Sequence, residues 1–278
     1  MKRKISLCFP TYNRADKVIK QISFILNELA SLQKIPKIEI VVSDNGSNEA
    51  SQNKLKDFIG KINVEDFSVV YNTNVNNLGL VGNLKKITSI CNSDYIWFIG
   101  DDDTLHTGVL SSVFQACDSK KGLLFINHQA INAEGTVVMP QAFDIKQHHD
   151  LYDVFTFSGT TMMFITACVY RADLIKDIFQ KEDVRLSLPF YTSLKCAEMA
   201  GVEFIDEIYI DNYWGETSWS SSSFDVFFKQ VPMDLFRSIL FSNNKFKTGI
   251  VCLRYVFGLL IGATKSLIIK IIKKTTKQ

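Results

Sequence analysis

The sequence predicts an α/β domain on a mainly parallel sheet with helices on both faces, a doubly wound and Rossmann-like arrangement. Three observations point there. Short strands alternate with helix-spaced segments from Ile5 to Asp103. Those strands read as unbroken apolar runs, as strands buried on both faces do. Polar clusters fall at the strands' C-terminal ends, where ligands bind in open α/β sheets. With 278 residues, of which 46% are apolar and 12% aromatic, the chain can bury a large core. Only 14 Gly and 5 Pro beside 22% charged residues exclude disordered, collagen-like and linker-dominated classes.

The elements follow in order. Ile5 to Phe9 is a buried strand stopped at Pro10, and Val18, Ile22, Ile25, Leu29 and Leu32 trace one helix face after it. Ile38 to Val42 is a second strand, ending at the turn-rich Ser43-Asp44-Asn45-Gly46-Ser47. Phe67 to Tyr71 is a third, followed by the Asn-rich loop Asn72 to Asn77 and a helix from about Val81 to Cys91. Tyr95 to Ile99, the most apolar strand, runs into Gly100-Asp101-Asp102-Asp103, and the segment after Asp103 is expected to be helical. Further on, Leu123 to Asn127 and Thr161 to Tyr170 read as strands, and Ala172 to Phe179 and Phe190 to Ala200 as helices, with Gly201 as a helix-ending glycine. No repeat or linker separates these parts, so one catalytic domain is expected over residues 1–222. The serine-rich stretch Ser218 to Ser223 marks a flexible crossing to a C-terminal helical region, 223–278, with helices at about 224–242 and 247–274.

Three consecutive aspartates after a buried strand repel one another unless they share a cation. Mg²⁺ or Mn²⁺ is usually held by one or two carboxylates together with substrate phosphates, which would make the ligand phosphorylated. Helix capping is the alternative, and it accounts for one aspartate but poorly for three. There is no G-x-G-x-x-G after the first strand and no G-x-x-x-x-G-K-[ST], against a dinucleotide or P-loop site. Pro10 instead fixes a turn, Tyr12 or Phe9 is placed to cover a base, and Asp44 to accept a hydrogen bond from a base N–H. Thr11-Tyr12-Asn13 alone would read equally well as ordinary helix capping.

Together, Phe9-Pro-Thr-Tyr-Asn-Arg14, Val42-Ser-Asp-Asn-Gly-Ser47, Asn77-Leu-Gly-Leu-Val-Gly-Asn83 and Tyr95-Ile-Trp-Phe-Ile-Gly-Asp-Asp-Asp103 resemble the family 2 glycosyltransferases of the GT-A fold, in order and in spacing. The run from Trp97 to Asp103 is most similar to the abequosyltransferase-like branch, bacterial enzymes of O-antigen and capsule synthesis. The resemblance implies a nucleotide-diphosphate-sugar donor, a UDP-sugar first among them, and a Mn²⁺ or Mg²⁺ cofactor. It implies Pro10, Thr11, Tyr12 and Asn13 around the nucleoside, Asp44 on the base, Asn83 near the diphosphate, Asp101 and Asp102 at the nucleotide, and Asp102 and Asp103 at the metal. Many members carry an acid where Gly100 stands, so Asp101 lies outside the usual pattern. Inverting transfer also needs a carboxylate to take the acceptor proton. The Glu-Asp pair that often does so, shortly before a helix ending in Gly, is replaced here by Phe190-Tyr191. The nearest candidates are Asp183, with Glu182 as the alternative and Glu216 behind them. No two of His106, His128, His148 and His149 are spaced to share an ion from one helix face, so all four are expected on the surface.

All 29 acidic residues lie at or before Asp234 while nine of the 31 basic ones follow it, so the last 44 residues carry +9 and the rest −7. Between Gly249 and Thr264 the only charge is Arg254; those sixteen residues fall short of the ~20 a spanning helix needs. Lysines 265, 270, 273, 274 and 277 follow, which suits a helix lying in the headgroups of an anionic leaflet. A helix packed on the catalytic domain is the competing reading, and removal from about residue 247 is expected to leave donor hydrolysis in place. The six cysteines are scattered without a C-x-x-C pair, and the five-residue apolar run behind Met1-Lys2-Arg3-Lys4 is too short for a signal-peptide core. The expectation is therefore a cytoplasmic enzyme, peripheral on the inner membrane face, acting on a lipid-linked saccharide and not on nucleic acid. A non-catalytic saccharide- or sugar-nucleotide-binding subunit is the alternative.

Overall fold

The computed structural model describes residues 3–62, 67–214 and 222–275; the side chains of Arg3, Thr160 and residues beyond 261 lie outside that description, as do Glu216 and most of the serine-rich stretch. The first half alternates β1 (Arg3–Thr11), α1 (Ala15–Ser31), β2 (Ile38–Asp44), α2 (Glu49–Ile59), β3 (Phe67–Thr73), α3 (Gly79–Ile90) and β4 (Ser93–Phe98). Then come β5 (Thr104–Leu105), α4 (Val109–Ala116), β6 (Leu123–Ile131), β7 (Val137–Met139), α5 (Leu151–Ser158), β8 (Cys168–Arg171), α6 (Ala172–Lys181), α7 (Leu188–Ala200) and β9 (Val202–Tyr213). The chain closes with α8 (Ser223–Asp225), a π turn over Val226–Gln230, α9 (Val231–Phe241) and α10 (Lys245–Thr275). The π turn precedes Pro232, which has no N–H to continue a regular ladder.

Among the described residues nine strands form one sheet, ordered β3-β2-β1-β4-β8-β6-β9-β5, with β7 on β6. Strands β3, β2, β1 and β4 are parallel, β8 is antiparallel to both β4 and β6, β6 and β9 are parallel, and β5 is antiparallel to β9. The chain moves outward from β1 through β2 to β3, then returns to place β4 on the other side of β1. That reversal opens a crevice at the C-terminal ends of β1, β2 and β4. Side-chain alternation divides the core between the two faces of the sheet. Ile5, Leu7 and Phe9 point to one side with α1 and α4, while Cys8, Val41, Ile96 and Phe98 point to the other, against α3 and α5–α7.

Several local expectations are corrected. The segment after Asp103 is the two-residue strand β5, tied to β9, and the helix starts only at Val109 behind Gly108 at φ +94°. Thr161 to Tyr170 is mostly two 3₁₀ turns, with strand only from Cys168, because β8 needs just enough length to bridge β4 and β6. Helices α2 and α5 and the long strand β9 add to the elements expected from the sequence. Val226, Val231, Leu235, Val251 and Cys252, from the C-terminal helices, are buried in the same core cluster as Phe155 and Phe190. Among the described residues no helix is long and apolar enough to cross a membrane.

Candidate active site

Register brings the polar strand ends together. Thr11 lies opposite Asp44, and Cys8 lies opposite Phe98, which sets the acidic run three residues further on beside Thr11. The loops are stapled to one another by their own polar groups. Asn13 sits at φ +57°, its N–H donates to Ser47 Oγ (2.7 Å), and its side-chain oxygen accepts from the Asn48 N–H (2.9 Å). Gly46 is required here: its φ is +77°, and an added Cβ would lie 2.9 Å from the backbone of Asn76.

Asp44 is fully buried, accepting from the Ser47 N–H (2.7 Å) and the Tyr71 hydroxyl (3.1 Å), so its carboxylate holds the β2 turn. Asn83 is buried too: its Oδ1 accepts from Ser43 (2.7 Å) and Asn74 (3.0 Å), and its amide donates to the Ser43 carbonyl (3.1 Å). It fixes the Asn-rich loop rather than projecting into open space. Pro10 is half-buried, and Tyr12 is 46% exposed at the rim. Thr11 is buried, and its hydroxyl finds no partner among the described residues. The Ser68, Tyr152 and Thr161 hydroxyls are in the same condition, and Thr11 is set apart from them by its place at the C-terminal end of β1, opposite Asp44.

The three aspartates are held by two separate clamps. The Arg14 guanidinium donates to Asp101 (2.9 Å) and Asp102 (3.2 Å). Asp103 accepts from the Thr166 hydroxyl (2.5 Å), and that same oxygen accepts from the Gly100 N–H (2.9 Å). The Gln21 side-chain amide donates to the backbone carbonyls of Gly100 (3.2 Å) and Asp103 (2.5 Å), fixing the turn from below. Burial pushes the Asp103 carboxyl well above the usual carboxylate range; the Thr166 bond opposes this, and the charges of Asp102 and Asp101 add to it. Asp101 is raised for the same leading reason, against the pull of Arg14. Among the described residues no cluster of three or more His, Cys, Asp or Glu forms a metal cage. All-oxygen donors at an exposed Asp102 and a cation-poor Asp103 do fit a hard divalent ion that completes its shell with phosphates and water. Arg14, Thr166 and Gln21 carried no sequence signal for these roles, since contacts over 63 to 87 residues exist only in the fold.

The carboxylates proposed for proton transfer stand apart from this cluster. Glu182 is engaged by Tyr191, Lys195 and Arg237 (3.0 Å), while Asp183 is exposed and accepts from Arg185 (3.1 Å). Among the described residues no hydrogen bond or ion pair joins either one to Asp101–Asp103. Two histidines are not on the surface as expected. His128 is fully buried on β6 against Phe164, and burial pushes it down to about 4; His148 is also buried and accepts the Asp144 N–H.

An open sheet of this order, with an acidic strand end at its switch point, is a GT-A-type fold. The chain belongs to the glycosyl transferase family 2, whose model matches residues 6–179. Among curated proteins it is similar to the abequosyltransferase RfbV of Salmonella typhimurium, 26% identical over 59% of this chain and 48% of that protein. It is also similar to the GalNAc(5)-diNAcBac-PP-undecaprenol beta-1,3-glucosyltransferase of Campylobacter jejuni, 29% identical over 45% of this chain and 38% of that one. The chain thus spans less than half the length of these relatives. Among solved structures, S. aureus TarS 1-349 in complex with UDP-GlcNAc aligns with a TM-score of 0.64 at 19% identity, covering 91% of this chain and 71% of that one. The mannosyltransferase PcManGT from Pyrobaculum calidifontis, in complex with GDP-Man and Mn²⁺, aligns at 0.58 and 14% identity over 95% and 76%.

Proposed function

We propose that this chain is a metal-dependent, inverting glycosyltransferase that moves one sugar from a nucleotide-diphosphate sugar to a saccharide acceptor in bacterial surface polysaccharide synthesis. The convergence of Thr11, Asp44 and the Asp101–Asp103 run at the C-terminal ends of β1, β2 and β4 is the observation that carries the reading. UDP or UDP-GlcNAc in the similar TarS structures, and GDP-Man with Mn²⁺ in PcManGT, support a nucleotide-sugar donor. A UDP-sugar is the first choice. The undecaprenol in the Campylobacter relative's name supports a lipid-linked acceptor. On this reading the protein sits at the cytoplasmic face of the inner membrane, with residues 1–222 as the catalytic unit and 223–278 as the membrane-associating one.

Thr11 and Tyr12 would bind the nucleoside, with Asp44 and Asn13 holding the turn that faces it. Asp102 and Asp103 would hold Mn²⁺ or Mg²⁺, which supplies Lewis-acid stabilisation of the diphosphate leaving group. Thr166 presents Asp103, and Arg14 offsets the charge of Asp101 and Asp102 at the same strand end. Asp183 is assigned to accept the proton of the attacking hydroxyl, since its carboxylate is exposed and, among the described residues, paired with Arg185 alone, whereas Glu182 is held by Lys195, Arg237 and the Tyr191 hydroxyl. A screen of nucleotide sugars with Mn²⁺ tests this reading: one donor should be hydrolysed or transferred, and Asp103→Ala should lose that turnover. Nucleotide binding without turnover of any donor would favour a non-catalytic subunit, which the engagement of Glu182 makes the second reading.

A further inference from the structure

Among the described residues, α9 and α10 each carry one packed face and one exposed apolar face. On α9, Val231, Asp234, Leu235 and Ser238 face inward, while Phe236 (53%) and Leu240 (81%) are exposed. On α10, Thr248, Val251 and Cys252 are buried and the Tyr255 hydroxyl donates to the Phe227 carbonyl (3.0 Å), while Phe246 (80%) and Phe257 (66%) are exposed. Phe224 and Phe228, stacked at 4.6 Å just before α9, are exposed as well. The packing is anchored, so the outward faces are fixed: Lys247 pairs with Asp150 (2.7 Å) and Asp153 (2.5 Å) on α5. A helix apolar on both sides needs a second apolar environment, and exposed patches of this kind mark interaction sites.

Charge selects the occupant. Lys245 and Arg254 are exposed on the same helix, five lysines follow Thr264, and no acid follows Asp234. A second copy docking here would bring two +9 segments face to face, which like-charge repulsion opposes. An anionic surface with an apolar interior meets both features at once. We propose that the outward face of α9 and α10, with Phe224, Phe228, Phe236, Leu240, Phe246 and Phe257 as anchors, is a docking surface for an anionic lipid bilayer. The contact is therefore made by folded helices as well as by the lysine-rich end. It rests on the functional reading and deepens it, narrowing the membrane-associating region 223–278 to one face of folded helices.

The test is co-sedimentation of the full chain with phosphatidylcholine vesicles, with and without phosphatidylglycerol, alongside donor hydrolysis. Wild type is expected to bind the anionic vesicles at low salt and to release as salt screens the attraction. Phe236→Glu/Leu240→Glu should lower vesicle affinity by about tenfold or more while circular dichroism and donor hydrolysis stay unchanged. If the double glutamate variant fails to fold, Phe236→Ser/Leu240→Ser is the substitute, with the same expected direction. Absence of wild-type binding, or undiminished binding by the folded variant, overturns the proposal. A wild-type dimer in light scattering that the variant dissociates, without vesicle binding, also overturns it and assigns the face to a second copy. Vesicle binding by a protein that turns over no donor would leave the docking face standing and sink the catalytic reading instead.

Discussion

At Gly100 an added Cβ would stand 2.4 Å from Asp103 Oδ2 and 3.2 Å from the Thr166 hydroxyl, so the missing side chain is the space the Asp103 carboxylate occupies. Gly100→Ala should displace Asp103 and lower kcat/KM by about tenfold or more, roughly 1.4 kcal/mol. Asp103→Ala should cost about 100-fold or more. Both should keep the wild-type melting temperature to within a few degrees; steady-state rates and a thermal melt check them, and wild-type rates in either would remove Asp103 from the site. His128 gives a second prediction at this scale. Its folded pKa, about 4, lies below the ordinary 6.5, so the unfolded chain binds the proton first. The stability that His128 contributes is present above pH 6.5 and is lost as pH falls toward 4. Between pH 7 and pH 5 that loss is about 2 kcal/mol. His128→Phe should flatten the stability curve by that amount, as read by urea melts at the two pH values.

Among the elements, α9 and the first turns of α10 behave as part of the folded body. Asp234 is buried, accepting from Ser187 (2.5 Å) and from Arg237 (3.1 Å), and this joins α9 to the start of α7. Thr248, Val251 and Cys252 are buried, Thr248 hydrogen-bonded to Ser242 (2.7 Å) and the other two in the core cluster that includes Phe155 and Val226. Sequence alone suggested that removal from about residue 247 would spare catalysis; packing moves the permissible cut. Deleting residues 262–278 should leave the melting temperature near wild type, whereas deleting 247–278 should cost at least about 3 kcal/mol through lost apolar burial. Differential scanning calorimetry of the two truncations decides it, and equal stability would mean that α10 contributes nothing to the core.

The whole molecule joins its two core layers through one sheet, so a ligand at the β1–β2–β4 crevice should stabilise it as a unit. UDP with Mn²⁺ at about 100 times its Kd should add about 2.7 kcal/mol and raise the melting temperature by roughly 5 °C. Chelation with EDTA should abolish most of that rise; a rise that survives EDTA would place the metal outside the nucleotide site. The strands Ile5 to Phe9, Ile38 to Val42 and Tyr95 to Ile99, and the polar groups at their ends, were legible in the sequence because an apolar run and the turn behind it are local. The aspartate run and Asp44 stand out locally as acids behind buried strands, whereas Thr11 is singled out only through the family resemblance of the motif that holds it. The tertiary structure alone decided how those groups are held. Thr166 meets Asp103 only because β8 pairs beside β4, Arg14 meets Asp101 only because β1 lies between β2 and β4, and Asp44 is saturated only because Tyr71 arrives on β3. Long-range pairing is not encoded in any local period, and the buried His128, the engaged Glu182 and the two-faced helices α9 and α10 became visible only once the packing partner of each was in place.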